Sequence, residues 1–185
     1  MNNLIKYTLG WFFRSLNIWK YRLRYLDSYI GRNVIIKCDK RSKLKLGKNV
    51  TISDGTIITL DSLNEIDTEL LIEDDVYIGN YNNIRACGKC IIGKNSLISH
   101  GIYMIGINHS FKEQLPIKLQ PWDESKIGFE IKEDVWIGAN SIILPGVRVG
   151  AGSIIGAGTT VLTSINEDII VYNKKYIEKR NRYNK

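Results

Sequence analysis

Aliphatic residues return at every sixth position late in the chain: Ile131, Ile137, Ile143, Val149, Ile155 and Val161. A small or β-branched residue falls four places after each aliphatic one, at Val135, Ser141, Val147, Ser153 and Thr159. A period of six matches neither the 3.6-residue helix nor the two-residue alternation of a strand. It matches short strands joined by tight corners, each strand sending one aliphatic side chain into a shared core, as in a parallel β-helix. Gly and Asn tolerate the left-handed backbone that such corners demand. They cluster between the aliphatic positions, at Asn140, Gly146, Gly152 and Gly158, and Pro145 fixes φ at another corner.

The same pattern divides the rest of the chain. Ile5, Leu9, Phe12, Leu16, Trp19, Leu23, Leu26 and Ile30 alternate spacings of four and three, a helical stripe over residues 1–30. The stripe is accompanied by Trp11, Phe13, Tyr21 and Tyr25, and by Arg14, Lys20, Arg22 and Arg24. The segment is too charged to span a bilayer and lacks the apolar run of a signal peptide. Two readings stay open: a helix packed on the β-helix or on another subunit, or an interfacial helix lying on an anionic membrane. Residues 31–165 form the β-helix domain. Its first block repeats at Leu46, Ile52, Ile58, Ile72, Ile78, Ile84, Ile92, Ile98 and Met104. The phase slips between Leu60 and Leu71, where a loop is expected, and a small insertion is expected around Cys87–Cys90. The rhythm stops after Met104 and resumes at Ile131, so residues 105–130 read as a loop extruded from one coil. Long loops in compact domains are uncommon and often functional. Residues 166–185 form a basic tail, expected to cap the end and fray.

Composition narrows the partners. The 185 residues suit one domain, and the formal net charge of +7 suits an anionic partner. No nucleic-acid-binding signature is present, so nucleic acid is set aside. Three cysteines without a disulfide framework fit a reducing compartment. Cys87-x-x-Cys90 has only Cys38 left to join it, short of the four ligands of a structural zinc site, so the pair reads as corner packing and no metal is expected.

Val135-Trp136-Ile137-Gly138-Ala139-Asn140, Leu144-Pro145-Gly146-Val147 and Ile155-Gly156-Ala157-Gly158 resemble the hexapeptide-repeat acyltransferases, and among them the sugar and polysaccharide O-acetyltransferases. The resemblance runs from Gly31 to about Ile165. It implies an all-β fold, a left-handed parallel β-helix with triangular coils, usually assembled as a homotrimer. The hand comes from the family alone, since parallel crossovers are otherwise right-handed. It further implies acetyl-CoA as co-substrate and a sugar or lipid-linked saccharide acceptor, in the making of capsule, O-antigen or exopolysaccharide. The expected setting is the cytoplasm, with peripheral contact at the inner membrane face through residues 1–30.

Acyl transfer to a hydroxyl needs a base, and histidine titrates in the right range. The chain has two histidines, His100 within a repeat and His109 at the start of the loop. It has no G-x-S-x-G elbow or activated cysteine, which favours direct attack on the thioester over an acyl-enzyme. His109-Ser110-Phe111, Glu113, Pro116-Ile117 and Gln120 resemble the family's catalytic loop, which puts the catalytic base on His109. Gly106-Ile107 replaces the Asp-His pair of many relatives, so the orienting partner is a backbone carbonyl or another residue. Ala139 and Ala157 match small residues along which the pantetheine arm lies, and Trp136 matches an aromatic near the acyl pocket or suits a subunit boundary. Lys174, Lys175 and Arg180 offer charge to the coenzyme phosphates, although the prolines of the family's C-terminal run are missing. Asn82 and Asn83 match an acceptor-binding asparagine loosely. A gamma-class carbonic anhydrase, which shares the fold, needs about three histidines on zinc. Two alternatives remain: an acyltransferase for serine, an amino sugar or an antibiotic, and a non-catalytic scaffold, against which the preserved loop stands.

Overall fold

A computed structural model describes residues 18–172 and the backbone of strand Glu178–Asn181. Each turn of the chain lays one short strand on each of three faces, of eight, six and five strands. Neighbouring strands on every face are parallel and in register, except that Glu178–Asn181 runs antiparallel to Ile169–Tyr172. The result is the parallel β-helix that the repeat predicts, left-handed as the family resemblance implies.

The register stacks like on like. Ile52, Ile78, Ile98, Ile137 and Ile155 form one inward ladder; Ile58, Ile84, Met104, Ile143 and Val161 form a second; Ile72, Ile92, Ile131 and Val149 form a third. All are buried. The small positions four residues on are also buried, and the two serine hydroxyls among them bind coil to coil. Ser141 Oγ donates to Gly156 O (3.0 Å) and accepts from Thr159 N (3.3 Å); Ser153 Oγ donates to Asn166 O (2.9 Å) and accepts from Ile169 N (3.1 Å). The corners between the eight- and six-strand faces take positive φ at Asn33, Gly55, Tyr81, Gly101, Asn140 and Gly158.

Asn82 belongs to this inward set, which corrects its reading as an acceptor ligand. It is 1% exposed. Its amide nitrogen donates to Gly79 O and Ser99 O (both 2.8 Å), and its amide oxygen accepts from Ile102 N (2.7 Å). Both donor hydrogens are used inside the solenoid, so none is left for a sugar.

Every excursion from the solenoid leaves by the edge between the six- and five-strand faces. Residues 61–67 form the expected first loop, closed by a Leu63–Ile66 bridge. The extra residues near Cys87 do not bulge; they lengthen two strands, Asn83–Ala86 and Lys89–Ile92, around a left-handed Gly88 (φ +65°). Cys90 thereby falls in register with Leu70 and Phe129 in the core, and burial pushes its thiol up to about 12. Burial raises Cys87 as well.

The N-terminal segment is helical over residues 18–24, and residues 1–17 lie outside the described part. This helix meets the solenoid with the side opposite the predicted stripe. Ile18 and Tyr21 pack on the core, Tyr25 Oη donates to Leu44 O (3.2 Å), and the Arg22 guanidinium donates to Ile30 O (3.0 Å) and Gly31 O (2.6 Å). The cause is the open first coil: Ile52 O accepts from Gly31 N of the coil before it, whereas the equivalent Ile30 O has no preceding coil and takes the Arg22 guanidinium instead. Trp19, Leu23 and Leu26 are left 54%, 66% and 81% exposed. Among the described residues no helix is long and apolar enough to cross a membrane. At the other end the chain folds back as Glu178–Asn181 rather than only trailing off, pairing the last exposed strand edge.

Asn82→Ala is expected to cost about 2–3 kcal/mol of stability, because it strands Ser99 O and Ile102 N, while Gly79 O keeps only the Thr56 hydroxyl. Asn83→Ala, one position on and facing outward, is expected to stay within about 0.5 kcal/mol. Thermal unfolding of the two variants side by side checks this; equal melting would remove Asn82 from its clamping role.

Candidate active site

The loop of residues 106–128 is pinned at its neck. Gly106 N donates to Arg85 O (2.7 Å) and Gly128 N donates to Gly106 O (2.8 Å), so the two ends leave the solenoid side by side. Gly106 has to be glycine: a Cβ there would lie 2.5 Å from Cys87 N. Above the neck the strands pair again. Ser110 N donates to Pro121 O (2.9 Å) and Asp123 N donates to Asn108 O (2.8 Å), and these two bonds flank the His109–Trp122 bridge. His109 and Trp122 are therefore a non-hydrogen-bonded antiparallel pair, the kind that brings side chains closest. Their rings stack with centroids 3.8 Å apart and 28° between planes.

Trp122 is held from outside the loop as well. The Arg85 guanidinium sits over its ring, 5.1 Å from the centroid, and Arg85 Nε pairs with Asp61 Oδ2 at 3.0 Å. Farther out, Gln120 staples the loop, accepting from Glu113 N (3.2 Å) and donating to Leu115 O (2.9 Å). The tip leaves Phe111, Leu115, Ile117 and Leu119 exposed. The His109 ring is exposed and makes no hydrogen bond among the described residues.

The other predicted residues fall in three places. Asn83 faces outward on the six-strand face, between Ile57 and Tyr103 and two residues from Arg85, on the side of the loop neck. His100 is exposed in the corner between the eight- and six-strand faces, one edge away from His109. Trp136, Ala139 and Ala157 lie on the eight-strand face and that same corner. Trp136 is half exposed, its indole N–H donating to Ser99 Oγ (3.1 Å). Ala139 O accepts from Gly158 N (2.8 Å), while the amide N–H of Ala139 has no partner among the described residues. In the first coil the equivalent N–H, of Arg32, is taken by the Asp54 carboxylate (2.8 Å), and Ala157 stands where such an acid would be. An open N–H beside small side chains suits a ligand carbonyl. Lys174 and Lys175 lie outside the described residues, and Arg180 is described only as backbone paired with Ile170. One chain thus joins His109 to Asn83's face but leaves the coenzyme candidates a corner away.

Sequence reasoning missed Trp122, Arg85 and Asp61. The available signal was a lone tryptophan directly after a proline in an otherwise polar loop; Arg85 and Asp61 look like ordinary outward residues.

Comparison with known proteins bears on this arrangement. The family model "Bacterial transferase hexapeptide (six repeats)" matches residues 130–163. The galactoside O-acetyltransferase of Lactococcus lactis is 44% identical over 158 residues, 85% of this chain and 65% of the relative. The putative lipopolysaccharide biosynthesis O-acetyl transferase WbbJ of Escherichia coli is 28% identical over 152 residues, 77% of this chain and 74% of the relative. Among solved structures, AntD, an N-acyltransferase from Bacillus cereus in complex with an amino-sugar nucleotide and coenzyme A, superposes with a TM-score of 0.63 at 20% identity, over 90% of this chain and 89% of that one. At that identity the likeness is one of fold.

Proposed function

The chain belongs to the bacterial hexapeptide-repeat transferases, and from that premise we propose that it is an acetyl-CoA-dependent O-acetyltransferase acting on a sugar hydroxyl in capsule, O-antigen or exopolysaccharide synthesis. The observation that carries this reading is His109, an exposed imidazole held at the neck of a pinned loop with both nitrogens unengaged. Two relatives named for O-acetyl transfer support the reaction type.

In the proposed cycle His109 accepts the proton of the acceptor hydroxyl as its oxygen attacks the thioester carbonyl. A backbone N–H, for which Ala139 is the candidate, receives the oxyanion or the pantetheine carbonyl. The C–O bond is complete as the C–S bond breaks, and protonated His109 returns its proton to the departing thiolate. The products are an acetyl ester and free coenzyme A. His109→Ala is expected to lower turnover by about 10²-fold or more, the scale of losing a general base, while acetyl-CoA still binds. Near-normal turnover in that variant would end the base assignment. Offering paired hydroxyl and amine sugars in the same assay separates O- from N-transfer.

The working unit in this reading is a homotrimer with the site between subunits. Outward positions on the eight-strand face read Tyr29, Thr51, Tyr77, Leu97, Trp136 and Ile154, an apolar stripe in strict register. The six-strand face shows Ile35, Ile57, Asn83, Tyr103, Ile142 and Thr160, whereas the five-strand face shows Lys43, Glu69 and Lys89 in one row and Lys45, Leu71, Ile91, Glu130 and Arg148 in the next. Two mainly apolar faces and one mainly charged face fit a closed ring in which unlike patches meet. The exposed loop tip would then reach a neighbour's corner and close the gap between His109 and Ala139. Sedimentation is expected to give three copies, and Tyr77→Glu with Trp136→Glu to give monomers that lose activity. An active monomer would overturn the shared site.

The helix of residues 18–24 is read as serving both roles considered for it. Its packed side caps the first coil; Trp19, Leu23 and Leu26, flanked by Lys20 and Arg24, face away and suit the cytoplasmic surface of an anionic membrane, where lipid-linked acceptors reside. Each basic residue near such a surface adds about 1 kcal/mol, and the inserted apolar side chains add to it. Full-length protein is expected to co-sediment with vesicles rich in phosphatidylserine at low salt, and Trp19→Glu/Leu23→Glu to abolish this while folding is kept. Indifference of the unaltered protein to those vesicles would rule the contact out.

A further inference from the structure

A general base works only if its ring is held close to its productive angle, and enzymes usually arrange this by a carboxylate bound to the second ring nitrogen. In this chain the places that would carry such a partner hold Gly106 and a buried Ile107. What touches the ring instead is a face, the indole of Trp122 at 3.8 Å. Resting on the base role read for His109, we propose that Trp122 is the positioning residue for that base, and that Arg85 and Asp61 hold Trp122 to the solenoid.

Three features carry this. The first is backbone registration: the flanking bonds Ser110 N to Pro121 O and Asp123 N to Asn108 O fix His109 and Trp122 as directly opposed. Pro121 further restricts the backbone that delivers the indole. The second is anchorage outside the loop. Arg85 is an outward residue on the rigid strand Asn83–Ala86, and its guanidinium sits over the indole at 5.1 Å. Asp61 fixes the guanidinium at 3.0 Å. Asp61 is itself tied down, its N–H donating to Ala86 O of the next coil (3.1 Å) and its carbonyl accepting from Thr68 Oγ1 across the neck of its own loop (2.9 Å). A loop-borne base is thus registered to two coils of the solenoid.

The third feature is chemical. Stacking uses the face of the imidazole and leaves both nitrogens at its edge free, one to take the acceptor's proton and neither committed to a partner. Once the proton is taken, the imidazolium lies on an electron-rich indole face, an attraction that exists only in the protonated state. Asp61 offsets the charge of Arg85, which limits how far the cation over the indole opposes this gain.

The presence of only two histidines makes the contact directly readable by proton NMR of the full-length protein. The His109 ring signal, assigned by its loss in His109→Ala, is expected upfield of that of His100 through the indole ring current, and is expected to move downfield in Trp122→Leu. In turnover, Trp122→Leu is expected to lower kcat about tenfold, equivalent to about 1.4 kcal/mol, with both KM values within about twofold. Trp122→Phe, which keeps an aromatic face, is expected to recover most of the loss. An unshifted His109 signal, or full kcat in Trp122→Leu, overturns the platform. So does a raised acceptor KM at unchanged kcat, which would make Trp122 a wall of the acceptor pocket. Normal turnover in His109→Ala with the upfield signal present in the unaltered protein would strike the base role, and with it the positioning role, while leaving the stacking in place.

Discussion

Coil-to-coil hydrogen bonding in fixed register is the constraint on which this molecule depends. Backbone N–H groups reach carbonyls of the following coil, as from Gly138 to Ile155 (2.7 Å) and from Gly79 to Ile98 (2.8 Å), or of the preceding one, as from Gly158 to Ala139 (2.8 Å), so a residue's place in its own coil decides what it stacks on in the next. Because side chains alternate across a strand, a slip of one residue would turn an entire ladder from core to solvent. The small inward positions reinforce the register from inside, since Ser141, Ser153 and Thr56 each bond the neighbouring coil through a buried hydroxyl. An end coil lacks one neighbour, and both ends of this chain carry a device for that: the Arg22 guanidinium on the first coil and the returning strand Glu178–Asn181 near the last.

A register this strict leaves few places for departure. The residues that do not fit the six-residue rhythm, 61–67 and 106–128, both leave at one edge, between the six- and five-strand faces. They meet there: Asn64 of the first bonds Glu124 of the second, and Asp61 reaches Trp122 through Arg85. The loops are therefore neighbours because they interrupt alternate coils at the same corner, with strand Asn83–Ala86 of the coil between them, although they are far apart in sequence. The solenoid serves as the reference frame, and the candidate base His109 sits on the edge where the chain leaves it.

This explains which parts were legible in the sequence. The inward ladders were, because the repeat that specifies them is local. Ile131 through Val161 are buried as their spacing requires, and Asn140, Gly146, Gly152 and Gly158 take the positive φ expected of corners. The same spacing assigns Asn82 inward, four places after Ile78; taking it for a ligand set a loose family match above the phase of the repeat. The extruded loop and its histidine were legible as a break in rhythm. The Trp122–Arg85–Asp61 support was not, since it depends on three coils meeting at an edge. The helix of residues 18–24 turns Trp19 and Leu23 outward, an orientation that depends on open carbonyls of the first coil, which no helical periodicity encodes.

The same contrast between inside and outside decides where a nucleophile can come from. Cys87 and Cys90 are buried and burial raises both thiols, to about 12 for Cys90, so neither presents a thiolate at neutral pH. Ser141 and Ser153 are also buried, with their hydroxyls already donating to carbonyls of the next coil. A covalent acyl-enzyme on these residues would first have to break the bonds that hold the coils together. The loop side chains are exposed, but the one there that is suited to neutral-pH proton transfer is an imidazole. A solenoid that spends its inward groups on its own register is consistent with the proposed cycle, in which the incoming hydroxyl attacks and the protein supplies a base at the edge.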